Sequence, residues 1–197
     1  MAPRYGTRSR YRFSPALAEC LRRPVSRLVL TGALLWSQPI PAIPAATPSL
    51  EYGVKAVFLL NFTKFVDWPP AAFPVADAPL TICILGDDPF GRAIDQVVEG
   101  ESVNGHKIVV ERLRADEQKS CQVAYIGNNG TIPAAFSAPG STVLTVGEGD
   151  DFLHQGGIVA FVIDSRHVRF DIKLRAATNA GLKLSAKLLS VARSVEK

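Results

Sequence analysis

Leu80-Thr81-Ile82-Cys83-Ile84-Leu85-Gly86-Asp87-Asp88-Pro89-Phe90-Gly91 is the stretch on which the fold turns. Its first half is a short apolar run without helical period, the pattern of a strand buried on both faces. Gly86 and Asp87 break the run. Asp88 and Pro89 then read as an N-cap and a first helical residue, so a helix is expected to about Glu99. A buried strand passing through a tight turn into a helix is the repeating unit of an α/β sheet.

The same alternation continues on both sides. Residues 51–66 place Val54, Val57, Phe58, Asn61, Phe62, Phe65 and Val66 at helical spacing, and Trp68-Pro69-Pro70 stops that helix. Leu59 and Leu60 lie outside the stripe, so this helix is apolar beyond what one sheet face needs, and a partner is one candidate for the surplus. Strands are expected at 107–113, 122–126 and 142–146, with a short helix near 132–136. Residues 157–163 and 167–172 flank Asp164-Ser165-Arg166 and read as an antiparallel hairpin. Helices near 175–180 and 185–195 close the chain, with Gly181 as C-cap and Ser185 as N-cap. The expected fold is a single three-layer α/β domain: a mostly parallel central sheet, an antiparallel C-terminal hairpin and helices on both faces.

Ahead of this domain, residues 1–45 read as a secretory leader. Arg4, Arg8, Arg10, Arg12, Arg22, Arg23 and Arg27 precede Leu28-Val29-Leu30-Thr31-Gly32-Ala33-Leu34-Leu35-Trp36, a run of h-region length and short of a membrane span. Cleavage is expected after Ala42, Ala45 or Ala46, and the domain occupies 46–197. An uncleaved anchor and a translation start nearer Val25 are the alternatives. Cys20 precedes the apolar run and so does not fit lipid attachment. The whole chain has 22 Lys and Arg against 18 Asp and Glu, but Glu19 is the single acid before residue 46, which leaves 15 bases and 17 acids for the domain. The basic excess belongs to the leader, and a nucleic-acid-binding reading goes with it.

Cys83 and Cys121 are the domain's two cysteines. A pair in an exported domain reads first as a disulfide, with two separate buried thiols as the alternative; no Cys-x-x-Cys points to redox catalysis. Asp87 and Asp88 sit where α/β sheets bind ligands. They form a candidate ligand loop, although capping by Asp88 and a favourable helix dipole account for them structurally. The glycines there lack the dinucleotide fingerprint. A receiver-type phosphorylation site is also missing, since strand 122–126 ends in Gly127-Asn128-Asn129 and strand 142–146 in Gly147-Glu148. His106, His154 and His167 stand apart without metal-ligand spacing, and no Gly-x-Ser-x-Gly elbow occurs. No enzymatic activity, metal or cofactor is expected.

Two segments carry a family likeness. Val54-Lys55-Ala56-Val57-Phe58-Leu59-Leu60-Asn61-Phe62-Thr63-Lys64-Phe65-Val66-Asp67-Trp68-Pro69 resembles the opening motif of the YfiR family, and Phe170-Asp171-Ile172-Lys173-Leu174 through Ala180-Gly181-Leu182-Lys183-Leu184-Ser185-Ala186-Lys187-Leu188-Leu189 resembles its closing one. Residues 82–91, 121–127 and 144–146 fit between them. The resemblance implies a periplasmic protein that represses an inner-membrane diguanylate cyclase through its periplasmic portion, lowering cyclic di-GMP and biofilm formation. Release of that repression is linked to redox state and to an outer-membrane lipoprotein partner. Lys173 stands where many relatives have Asn, Ala186 where a second Ser is common, and residues 147–161 lack a cysteine pair. A small-ligand periplasmic binding domain is the alternative function, and a homodimer stays open.

Overall fold

The computed structural model describes residues 49–114, 117, 119–128 and 130–197. The expected leader and its cleavage region lie outside the described residues. In chain order the elements are α1 (Leu50–Phe65), β1 (Val66–Asp67), β2 (Leu80–Leu85), α2 (Arg92–Val98), β3 (Ser102–Val103), β4 (His106–Leu113), β5 (Val123–Ile126), α3 (Ala134–Ser137), β6 (Leu144–Glu148), α4 (Asp150–His154), β7 (Val159–Asp164), β8 (His167–Lys173), α5 (Leu174–Asn179), β9 (Lys183–Leu184), α6 (Ala186–Val191) and β10 (Ser194–Glu196).

The main sheet runs β10-β8-β7-β6-β5-β2-β4-β3. Pairing is parallel from β4 through β2, β5 and β6 to β7. The β7–β8 hairpin is antiparallel, and β10 lies parallel to β8. The mixed α/β fold with its mostly parallel centre is therefore the one the sequence implies. β1 and β9 form a separate antiparallel pair that ties the end of α1 to the closing segment.

Alternation along the strands divides the core in two. Leu80, Ile82, Ile84, Val123, Tyr125, Leu144, Val146, Val159, Phe161, Phe170 and Ile172 pack on the side that holds α1 and α2. There Phe62 stacks on Phe161 and meets Phe170 edge-on, with centroids 5.8 and 5.1 Å apart. The opposite side is thinner: Cys83, Leu85, Cys121, Ala124, Ile126 and Ala160 pack with Phe152 and Leu153 of α4. Phe152 lies directly over Gly147 and Gly157, where any Cβ would run into its ring. Small residues on the sheet are thus the condition for seating an aromatic ring on that face.

Several boundaries differ from expectation for local reasons. α2 begins at Arg92 instead of Pro89, because the Asp88 carboxylate binds the N–H groups of Phe90 and Gly91 and holds a turn there, while Gly91 has φ +51°. β6 begins two residues late because Thr142 sits at φ +57°, outside strand geometry. The last helix ends at Val191, since the Arg193 guanidinium binds Asp171 and its N–H binds the Phe170 carbonyl, drawing Ser194–Glu196 onto the sheet as β10. α4 was not expected; Gly149 at φ +78° turns the chain into it. Local signals at the C-terminal end held: Ser185 Oγ accepts from the Leu188 N–H at 3.2 Å, and Gly181 follows α5 at φ +79°.

Candidate functional site

The parallel strands reverse their order of growth between β2 and β5, so the carboxyl ends of those strands are where a ligand crevice is expected. Asp87 and Asp88 do sit there. Asp88 Oδ1 accepts from the Phe90 and Gly91 N–H groups at 2.8 and 3.1 Å, and its Oδ2 accepts from Arg112 Nε at 2.7 Å. Arg112 also forks onto Asp95 at 3.0 and 2.7 Å and reaches the Gly91 carbonyl. Asp88 is thereby spent on shaping the turn and tethering β4 to α2. The backbone of Asp87 packs so closely on Gly127 that a side chain at 127 would overlap its carbonyl. The two loops close over the strand ends, and neither carboxylate lines the cavities described below.

Cys83 of β2 and Cys121, just before β5, are joined as a disulfide with Cα atoms 5.8 Å apart, inside the range such bridges accept. The two strands are parallel neighbours, with Ile82 opposite Val123. The bridge lies on the thin side of the core and encloses α2, β3 and β4.

Next to the switch point is a polar cluster that the sequence did not reveal. Lys55 of α1 is 1% exposed. Its Nζ binds Glu51 at 2.5 Å and Glu148 at 3.0 Å, and lies 4.4 Å from the Tyr52 ring centroid. Tyr125 donates its hydroxyl to Glu148 Oε1 at 2.6 Å. Burial pushes the Lys55 ammonium down, but its hydrogen bonds to Glu51 and Glu148 outweigh that and leave its pKa raised. Burial, reinforced by Glu148, pushes the Tyr125 phenol up. The cluster opens on a cavity of about 330 Å³ lined by Lys55, Glu148, Asp150, Phe161 and Arg193. With every member paired, its chemistry is that of a fastener between α1 and the end of β6. The one available signal was a lysine set inside the apolar run Gly53-Val54-Lys55-Ala56-Val57-Phe58-Leu59-Leu60.

α1 also turns a different side to solvent from the one its periodicity suggested. Ala56, Leu59, Leu60, Phe62 and Thr63 are buried, whereas Val54 and Val57 are exposed and Leu50 is 87% exposed. A helix apolar nearly all round leaves its inward face undetermined by pattern alone. Leu50, Val54 and Val57 recur at i, i+4, i+7. Leu50, Val54 and Phe58 border a groove of about 480 Å³ whose other wall is Ile163, Arg166, His167 and Val168 of the hairpin. Ile163 is itself 53% exposed. Leu50, Val54 and Ile163 thus give the groove exposed apolar walls, and exposed apolar patches mark interaction sites.

A second cleft, about 510 Å³, is lined by Trp68, Phe73, Val103 and His106. The Phe73 and His106 rings stack at 3.8 Å, and His106 Nδ1 contacts the Ala78 carbonyl at 2.6 Å. Among the described residues no group of three or more His, Cys, Asp or Glu could hold a metal ion, and no helix is long and apolar enough to cross a membrane. Lys173, the departure from Asn noted above, donates to the Leu153 carbonyl at 2.9 Å and so caps the end of α4.

The model of the DUF4154 family, described as YfiR/HmsC-like, matches residues 52–193. No curated protein matches the chain.

Proposed function

The chain belongs to the YfiR/HmsC-like family, and on that premise we propose that it is a periplasmic regulator that binds the periplasmic portion of an inner-membrane diguanylate cyclase and represses it, lowering cyclic di-GMP and biofilm formation. The observation that carries this reading is the exposed apolar residues of α1 and the hairpin, Leu50, Val54, Val57 and Ile163, which are open to solvent on neighbouring elements. Such a surface suits a protein partner. The Cys83–Cys121 bridge suits an oxidising compartment, and the basic and apolar N-terminal stretch suits export.

Deleting the gene raises cellular cyclic di-GMP, and restoring the exported protein lowers it again. Unchanged cyclic di-GMP across several growth conditions would sink the assignment. Export has its own measurement: N-terminal sequencing of protein from the envelope finds a start between residues 42 and 47. Recovery of an intact chain held in the membrane would count against the leader.

A further inference from the structure

We propose that the groove between α1 and the β7–β8 hairpin receives an amphipathic helix of the regulated membrane protein, its apolar stripe on Val54, Phe58 and Ile163 and a carboxylate of its flank on Arg166. The proposal rests on the regulatory reading above and adds what the partner presents.

The floor of the groove consists of side chains on a helix stripe and a sheet face, the surfaces onto which helices pack. Leu50, Val54 and Phe58 line the groove at i, i+4 and i+8 and span about 12 Å of α1, just over two helical turns, the reach of the i, i+3, i+4, i+7 anchors of a docked helix.

The hairpin tip supplies the polar term. Ser165 and Arg166 form a two-residue turn with φ +49° and +65°, a conformation normally given to Asn and Gly. Strain of this kind persists where a side chain is needed at that place. Arg166 has no hydrogen bond or ion pair within the described residues, while the acid on the opposite rim, Glu51, is held by Lys55. The groove therefore presents an unpaired guanidinium beside apolar surface, and a bidentate carboxylate is its natural complement.

The same facts disfavour two other occupants. Glu51 is the sole acid of α1 and is already paired, so a second copy docking through its own α1 has no free carboxylate for Arg166. An anionic lipid surface is recognised by clusters of about 4–8 basic residues; this rim offers Arg166 and His167.

The test uses the whole protein expressed in its own host, with a photo-crosslinking benzoylphenylalanine at Val54 or Ile163 and, as controls, at the exposed residues Val75 or Val191. Mass spectrometry then sequences the attached peptide. The expected product, from Val54 and Ile163 but from neither control, is a membrane-protein segment with apolar residues at helical spacing and Asp or Glu on its flank. Arg166→Glu lowers the yield by about tenfold or more, as loss of a charge-assisted pair requires, and Lys in place of the partner carboxylate restores it. Arg166→Gly raises the melting temperature by relieving the turn yet also lowers the yield; a purely structural residue would change only the first. Attachment to a second copy, to lipid, or to a basic or extended segment overturns the proposal, as does no attachment or equal attachment from the controls. If deletion raises cyclic di-GMP while crosslinking fails, the regulator stands and this docking mode falls. If crosslinking gives the expected helix while cyclic di-GMP stays unchanged, the docking mode stands and the assigned output falls.

Discussion

Replacing Cys83 and Cys121 together with serine lowers the melting temperature by roughly 8–15 °C without changing the fold. The bridge spans 38 positions, and the loss of loop entropy in the unfolded chain for such a span is about 4 kcal/mol. For a domain of this size each kcal/mol moves the midpoint by about 2–4 °C. The fold survives because β2 keeps its hydrogen bonds to β4 and β5, and the main apolar core lies on the other side of the sheet. Thermal unfolding followed by circular dichroism, with the wild type also measured under reductant, gives the size of the effect. Thiol labelling of unfolded, unreduced protein from the envelope finds no free thiol on the mature domain. Two free thiols there would reduce the pair to buried apolar packing.

Lys55→Met has the second-largest effect, about 2–4 kcal/mol of destabilisation. Removing one member of a buried pair costs about 3–5 kcal/mol, and the lower figure here reflects the partial exposure of Glu148. The methionine fills similar space, so the loss comes from a carboxylate left among Tyr125, Phe161 and the end of β6. A second change, Glu148→Gln, recovers part of the stability by removing that charge, and the double-mutant cycle isolates the coupling. Equal losses in the single and double variants would show that packing alone was at stake. The pH dependence has a definite sign. Because the folded protein holds Lys55 above its ordinary value of 10.5, the pair's contribution is complete at neutral pH. On the alkaline side it is lost as pH rises above 10.5 through the folded-state value of Lys55.

What the sequence disclosed was what short-range chemistry decides. The apolar run 80–85, the hairpin on either side of Ser165-Arg166, the Ser185 cap and Gly181 after α5 are each specified by neighbours within a few residues. Fold class followed from their order. The inward face of α1 did not, because Leu59 and Leu60 compete with Val54 and Val57 for the same role, and only tertiary packing decides, burying the leucines and leaving the valines exposed. The Lys55 cluster was hidden for a related reason: Glu148 and Tyr125 come from distant strands, and a lysine in a helix ordinarily faces water. At the strand ends the carboxylates Asp87 and Asp88 were visible as a pair, but the coordination of Asp88 by Arg112 depends on β4 lying beside β2.

α1 is also the first element of the domain to emerge when the chain is made, and its partners are among the last. Phe62 awaits Phe161 and Phe170, and Val66 awaits Leu184. At about 5–20 residues per second, several seconds pass in which a helix apolar on most of its circumference has nothing to cover it. The nascent chain is thus a natural client for holding chaperones, and a truncation that removes the last strands strands that helix in an aggregation-prone state instead of trimming an edge.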